Sequence, residues 1–184
     1  MKKALTLTII GASVSYTTAC TTLIAGKAAT TDGSVFCSHS NDGAGTTDPR
    51  LVHIPARDHA ANAQRPVYFA PESFPRYVGA ERGAPAYYPA PGQTPFAPIG
   101  YIPEVTHTYA YHESTYGSLN EHQLGIGEST CSGVFGAKAA GHGGKALMSV
   151  DTLSQLAMER STTSRDAIKL MGSLAEQYGF YGAA

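Results

Sequence analysis

The chain has 184 residues, 42% of them hydrophobic and 15% charged, with a formal net charge of -1; that is the size of one modest globular domain and excludes disorder and collagen-like repeats. Thirteen Lys and Arg stand against fourteen Asp and Glu, with no basic run beyond Lys2-Lys3, so there is no electrostatic footprint for nucleic acid. Twenty Gly, eleven Pro and eleven Tyr, with no Trp, predict strand and loop in the first two thirds and helices late.

The opening, MKKALTLTIIGASVSYTTAC, carries two lysines, an apolar or small-residue stretch from Ala4 to Tyr16, and a small-residue site ending at Ala19. This is the pattern of a secretory signal peptide over residues 1–19. The stretch is too short to cross roughly 30 Å of hydrocarbon, and no later segment approaches the ~20 apolar residues of a spanning helix. The expected protein is exported, periplasmic or extracellular, with no membrane span. Cleavage after Ala19 would leave Cys20 as the new N-terminus.

Three readings of Cys20 stand open on these residues. It is a free or disulfide-forming cysteine of an oxidising compartment, or a lipoprotein anchor, against which Thr17 stands where such sites carry an aliphatic residue. The third reading is an N-terminal nucleophile whose own α-amine takes the thiol proton. An α-amine titrates near 7.7–8.0 and a thiol near 8.5, so near neutrality one deprotonates the other, but only after the leader is removed. Cys37 and Cys131 are the other cysteines; a bridge between them and two buried thiols both remain open.

From Cys20 to Asp42 the text reads strand, turn, strand: Thr22 to Ala28, the turn Thr31-Asp32-Gly33, then Ser34 to His39, a hairpin expected to carry Cys20 at its tip. Antiparallel pairing would bring Ser38 to Asp42 back near Cys20, with Asn41 to Gly45 as a loop. Leu51 to Ile54 is a short strand. Over 66–103, nine prolines interleave with tyrosines, which predicts an ordered surface loop or lid rather than sheet or helix. Val105 to Tyr111 reads as a strand and Gln123 to Ser129 as a second, joined through Glu113 to Asn120. Gly125 and Gly127 within that pattern signal close backbone approach.

Two helices are expected at the end, Val150 to Arg160 and about Ser164 to Tyr178. The second carries a stripe of Ala167, Ile168, Met171, Leu174, Ala175 and Tyr178, a cap from Thr163 and Asp166, and a stop at Gly179. Both stripes read as core, a helix pair laid over a sheet. His107 and His112, five apart on one expected strand, would point to opposite faces. His112-Glu113 lacks the second histidine of a helical zinc motif, and Gly141 to Lys145 lacks the spacing of a phosphate loop. No metal or organic cofactor is expected.

CTTLIAGKAATTDGSVF from Cys20, the following SHSND, and NEHQLGIGEST from Asn120, with FPRYVG at Phe74 and AEQYGFYG at Ala175, resemble the dipeptidase and secernin family of N-terminal-nucleophile cysteine peptidases. The resemblance spans most of the chain after residue 19. It implies an α+β fold, an αββα sandwich of two antiparallel sheets between helix layers, and hydrolysis of amide bonds in short peptides. Cys20 matches the nucleophile and Asp42 the acid that orients the N-terminal amine. Relatives usually carry arginine three residues before that acid; here it is His39, whose protonated ring partly replaces the charge. Asn120 to Thr130 matches the pocket lining, with Ser129 and Thr130 as oxyanion contacts. Members of the family are more than twice as long, so the resemblance implies an incomplete sandwich that exposes apolar sheet surface and tends to homo-oligomerise. The reading from a different class is an exported lipid-anchored or soluble binding protein without turnover.

Overall fold

The computed structural model describes residues 20–40, 50–69, 91–92, 96–129 and 136–182. In chain order these form β1 (Thr22–Ala25), a 3-10 turn (Lys27–Ala29), β2 (Phe36–His39), β3 (Val52–Ile54), β4 (Arg57–Asp58), β5 (Gln64–Tyr68), β6 (Pro98–Pro103), β7 (His107–Thr108), β8 (Tyr111–Glu113), β9 (Gly117–Asn120), α1 (Val150–Arg160) and α2 (Ser164–Tyr178). The class is α+β, with four small antiparallel sheets ordered β1-β2, β3-β8-β9, β4-β7 and β5-β6. Among the described residues no helix is long and apolar enough to cross a membrane.

Both helices occupy their expected spans because their ends are written in local chemistry. Ser149, in extended conformation, accepts the Thr152 amide, and Thr163 accepts that of Asp166, each satisfying a first-turn N–H worth ~1 kcal/mol. Gly179 ends α2 at φ +75°, a conformation that a Cβ would disfavour.

Burial separates the two. Asp151 through Glu159 of α1 are all buried, polar residues included. On one side Ala157 and Met158 pack with Ile54, Tyr111, Leu124 and Ala167 of α2. On the other, Leu153 and Leu156 pack with Val67, Ile102, Met148 and Leu174 of α2. The helix therefore lies between the β3-β8-β9 sheet and the β5-β6 ribbon, not over a single sheet. Fully burying one such apolar side chain contributes ~1.5–3 kcal/mol. The outer helix α2 fully buries only Ala167 and Leu174, and Ile168 of its expected core stripe is 67% exposed.

Three expectations for the middle of the chain give way. The ends of the proline-rich 66–103 segment are strands: Pro66 sits opposite Tyr101, and Val67 and Ile102 are buried. A two-stranded ribbon is all edge, where proline's missing N–H need not break a ladder; residues 70–90 and 93–95 lie outside the described residues. The strand expected over Val105 to Tyr111 divides into β7 and the start of β8, because the Tyr109 amide turns out of the sheet to donate to the Glu159 carbonyl at the end of α1 (2.9 Å). His107 and His112 consequently stand on different strands. The next strand is Gly117–Asn120 rather than Gln123 to Ser129. Gln123 takes a left-handed φ of 62° in the turn that follows.

Candidate functional site

The β1-β2 hairpin forms as its sequence suggests. Asp32 accepts from both the amide and the hydroxyl of Ser34 (3.0 and 2.6 Å), Gly33 takes φ +75°, and the strands pair from Ala25↔Phe36 to Thr22↔His39. The Ser34 side chain, then its amide, holds the Asp32 carboxyl below the usual carboxylate range. Cys20 is not at the turn, however. The chain reverses at residues 27–33, so Cys20, half-buried, lies at the open end where the strands finish. There the Thr21 amide donates to Ser40 Oγ (3.0 Å) and the Ser40 amide to the Thr21 carbonyl (2.9 Å), which brings the end of the second strand beside Cys20 as expected.

A third segment closes on the same end. Ser129 Oγ donates to the Cys20 carbonyl (2.7 Å), and Thr22 Oγ1 donates to the Glu128 carbonyl (2.7 Å). The two glycines make this approach possible. A Cβ on Gly127 would stand 2.8 Å from Thr22 Cγ2 and 3.2 Å from Cys37 Sγ, and one on Gly125 would stand 3.5 Å from Cys37 Cβ. The close backbone approach read from their spacing is therefore present, without the strand.

The remaining site candidates divide. His39, opposite Thr22 and hence on the same sheet face, is half-buried with its ring edge-on to Tyr116 (centroids 5.7 Å). Its Nδ1 is buried with no hydrogen-bond partner among the described residues. Asn120 borders a cleft shared with His53, Tyr111 and His112, and its side-chain amide is engaged in structure: Nδ2 donates to the Met158 and Ser161 carbonyls (3.0 and 2.8 Å), and Oδ1 accepts the His122 and Leu124 amides (both 3.1 Å). Two donors and two acceptors are its full capacity, so it brackets the end of α1 to the 120–124 turn. The Ser129 hydroxyl donates to the Cys20 carbonyl and so holds the Cys20 backbone. Asp42, Thr130, Cys131, the FPRYVG motif and the leader 1–19 lie outside the described residues. Cys37 is a free, exposed thiol and Cys20 is also free.

Apolar side chains on this hairpin face outward: Leu23, Ile24, Val35 and Phe36 are 57–70% exposed.

No local pattern signals the buried charge cluster beside α1. Arg65 reaches Glu159 with Nε at 3.1 Å and Nη2 at 2.9 Å, while the Tyr111 hydroxyl bridges Glu113 (2.7 Å) and Glu159 (3.1 Å). Arg160 pairs with Glu104 at 2.8 Å. A cleft of about 170 Å³ between β4, β5 and β7 opens onto Arg65 and Glu159. Opposite charges meet at direct bonding distance, so the cluster serves to fix β5, β8 and α1 to one another. Its members lie up to 94 residues apart in sequence, a separation at which no local pattern operates. Among the described residues no group of three or more His, Cys, Asp or Glu could hold a metal ion.

Comparison with family models, with curated proteins and with solved structures finds no match for the chain.

Proposed function

We propose that the protein is an exported cysteine amide hydrolase of short peptides, with Cys20 as its N-terminal nucleophile once the leader is removed, in a fold of the αββα N-terminal-nucleophile type. The observation that carries this reading is convergence. The segments SHSND and NEHQLGIGEST reach the Cys20 end of one hairpin through Ser40 on Thr21 and Ser129 on Cys20, the latter pair 109 residues apart.

In the proposed reaction the Cys20 thiol passes its proton to its own α-amine and Sγ attacks the scissile carbonyl carbon. The tetrahedral oxyanion is stabilised by N–H donors near Cys20. Collapse breaks the C–N bond as the ammonium returns the proton to the leaving amine. Water, giving a proton to the same amine, then attacks the thioester and releases the carboxylic acid with Cys20 restored. Ser129 and Ser40 hold the two polar groups of the Cys20–Thr21 peptide unit next to Sγ, and this positioning matters because an ångström of misplacement costs about 10²-fold. Asp42 is the proposed partner of the amine. His39, on the Thr22 face and with Nδ1 lacking a hydrogen-bond partner among the described residues, supplies a polar group next to the nucleophile.

The test is production with the leader in an exporting host, followed by intact mass, N-terminal residue and amino-acid release from a panel of dipeptides. Processed protein beginning at Cys20 is expected to hydrolyse at least one dipeptide, and Cys20→Ala to abolish this. Equal turnover by Cys20→Ala would overturn the reading. A diacylglycerol mass on Cys20 without turnover would replace it with the anchored binding protein.

A further inference from the structure

The outer face of the β3-β8-β9 sheet carries an arrangement that the hydrolase reading does not use. In the register Val52↔Glu113, His53↔His112, Ile54↔Tyr111, the residues on either side of the histidine row turn inward: Ile54, Tyr111 and Glu113 are buried. The pleat then sends His53 and His112 outward together, and both are exposed. Their ring centroids stand 5.0 Å apart with the planes inclined at 52°. Leu119 extends the row on β9, and with Glu121 it borders a cleft of about 150 Å³ in front of the two rings. The backbone beneath is regular antiparallel ladder between His53 and His112, so the two imidazoles are held at a fixed separation by main-chain pairing rather than by loops.

We propose that His53 and His112 form a two-imidazole site for a late first-row divalent ion, Cu²⁺ in preference to Ni²⁺ or Zn²⁺. Imidazole nitrogens bind such ions at about 2.0–2.1 Å, which sets each ring centroid about 3.2 Å from the metal; two rings at angles between square-planar and tetrahedral then lie about 4.5–5.2 Å apart. The observed 5.0 Å falls within that span. Neutral imidazole selects Cu, Ni and Zn over Mg and Ca, and the affinity order among divalent ions peaks at Cu²⁺. With two protein ligands, solvent completes the coordination shell, so the ion is exchangeable and open to outside ligands. This separates the site from closed structural metal centres, which take four protein ligands. It also lies on a different sheet from the β1-β2 hairpin next to Cys20, so metal binding here is tested separately from hydrolysis there.

The test uses the full chain with its thiols alkylated, which removes cysteine competition and copper-driven thiol oxidation. Cu²⁺, Ni²⁺ and Mg²⁺ are titrated by calorimetry into wild type, His53→Asn, His112→Asn and the double variant, with folding checked by circular dichroism. The expected result is one saturable Cu²⁺ per chain, weaker Ni²⁺ binding and none for Mg²⁺. Either single substitution should weaken Cu²⁺ binding at least tenfold. At Cu²⁺ about 100 times Kd the folded-to-unfolded ratio of wild type should rise about 100-fold, and that of the double variant should not. Electron paramagnetic resonance of the wild-type complex, which needs no variant, should show coupling to two imidazole nitrogens. Absence of saturable Cu²⁺ binding, retention of it in the double variant, loss in only one single variant, or coupling to one nitrogen would each overturn the proposal.

Discussion

Around α1 the molecule buries charge against charge, Arg65 on Glu159 and Arg160 on Glu104, whereas on the β1-β2 hairpin it leaves Leu23, Ile24, Val35 and Phe36 facing solvent. The first region is fixed by packing on several sides. Among the described residues, the second meets the 125–129 segment through two hydroxyl-to-carbonyl bonds and the close approach of two glycines. Local stability follows buried contact density, so the proposed nucleophile rides on the more weakly held piece, and the two regions should respond differently to substitution.

The largest effect is expected from Glu159→Ala, which leaves the Arg65 guanidinium buried without its carboxylate. Removing one partner of a buried pair costs about 3–5 kcal/mol, to be read as a fall in urea-unfolding free energy. A glycine pair sharpens the contrast. A Cβ at Gly117 would stand 2.7 Å from Met158 Cγ and 2.9 Å from the Ser154 carbonyl oxygen, so Gly117→Ala should cost about 1–3 kcal/mol of global stability. Gly127→Ala meets the Thr22 methyl and the Cys37 sulfur at the hairpin instead. It should change global stability by no more than about 0.5 kcal/mol while lowering dipeptide turnover up to about 10²-fold. If both glycines cost the same stability, the two-region picture fails.

Ser129→Ala should lose up to about 1 kcal/mol and slow turnover about tenfold, because the Cys20 backbone loses its holder. The smallest effect belongs to the turn. Asp32 is fully exposed and its carboxyl is held low by Ser34, so its contribution is complete above the unfolded-state pKa and disappears as pH falls through the lower folded value. Protection of the Ser34 amide from hydrogen exchange, corrected for the intrinsic rate, should weaken in acid in wild type and not in Asp32→Asn.

Much of the frame was legible because its signals are local. Helical spacing with Thr163, Asp166 and Gly179 delivers α2, and Thr31-Asp32-Gly33 delivers the hairpin turn. What escaped is set by contacts across the chain. Asn120 looks like pocket lining in a polar string, yet its amide is spent on Met158, Ser161, His122 and Leu124. The strand expected at Gln123 to Ser129 fails because two of those bonds curl the backbone just before it. Pro66 argued against a strand, but a two-stranded ribbon tolerates it. The proximity of Ser40 to Cys20 followed from hairpin pairing alone, while that of Ser129 came from matching a distant motif.

The central claim, that a freed Cys20 is the nucleophile, is tested most directly by comparing alkylation rates of Cys20 and Cys37 in one sample, mapped by peptide mass with and without the leader. Accessibility alone favours the exposed Cys37 over the half-buried Cys20. Faster labelling of Cys20, lost when the leader is retained, is the predicted result; faster labelling of Cys37, or a Cys20 rate indifferent to the leader, would contradict it.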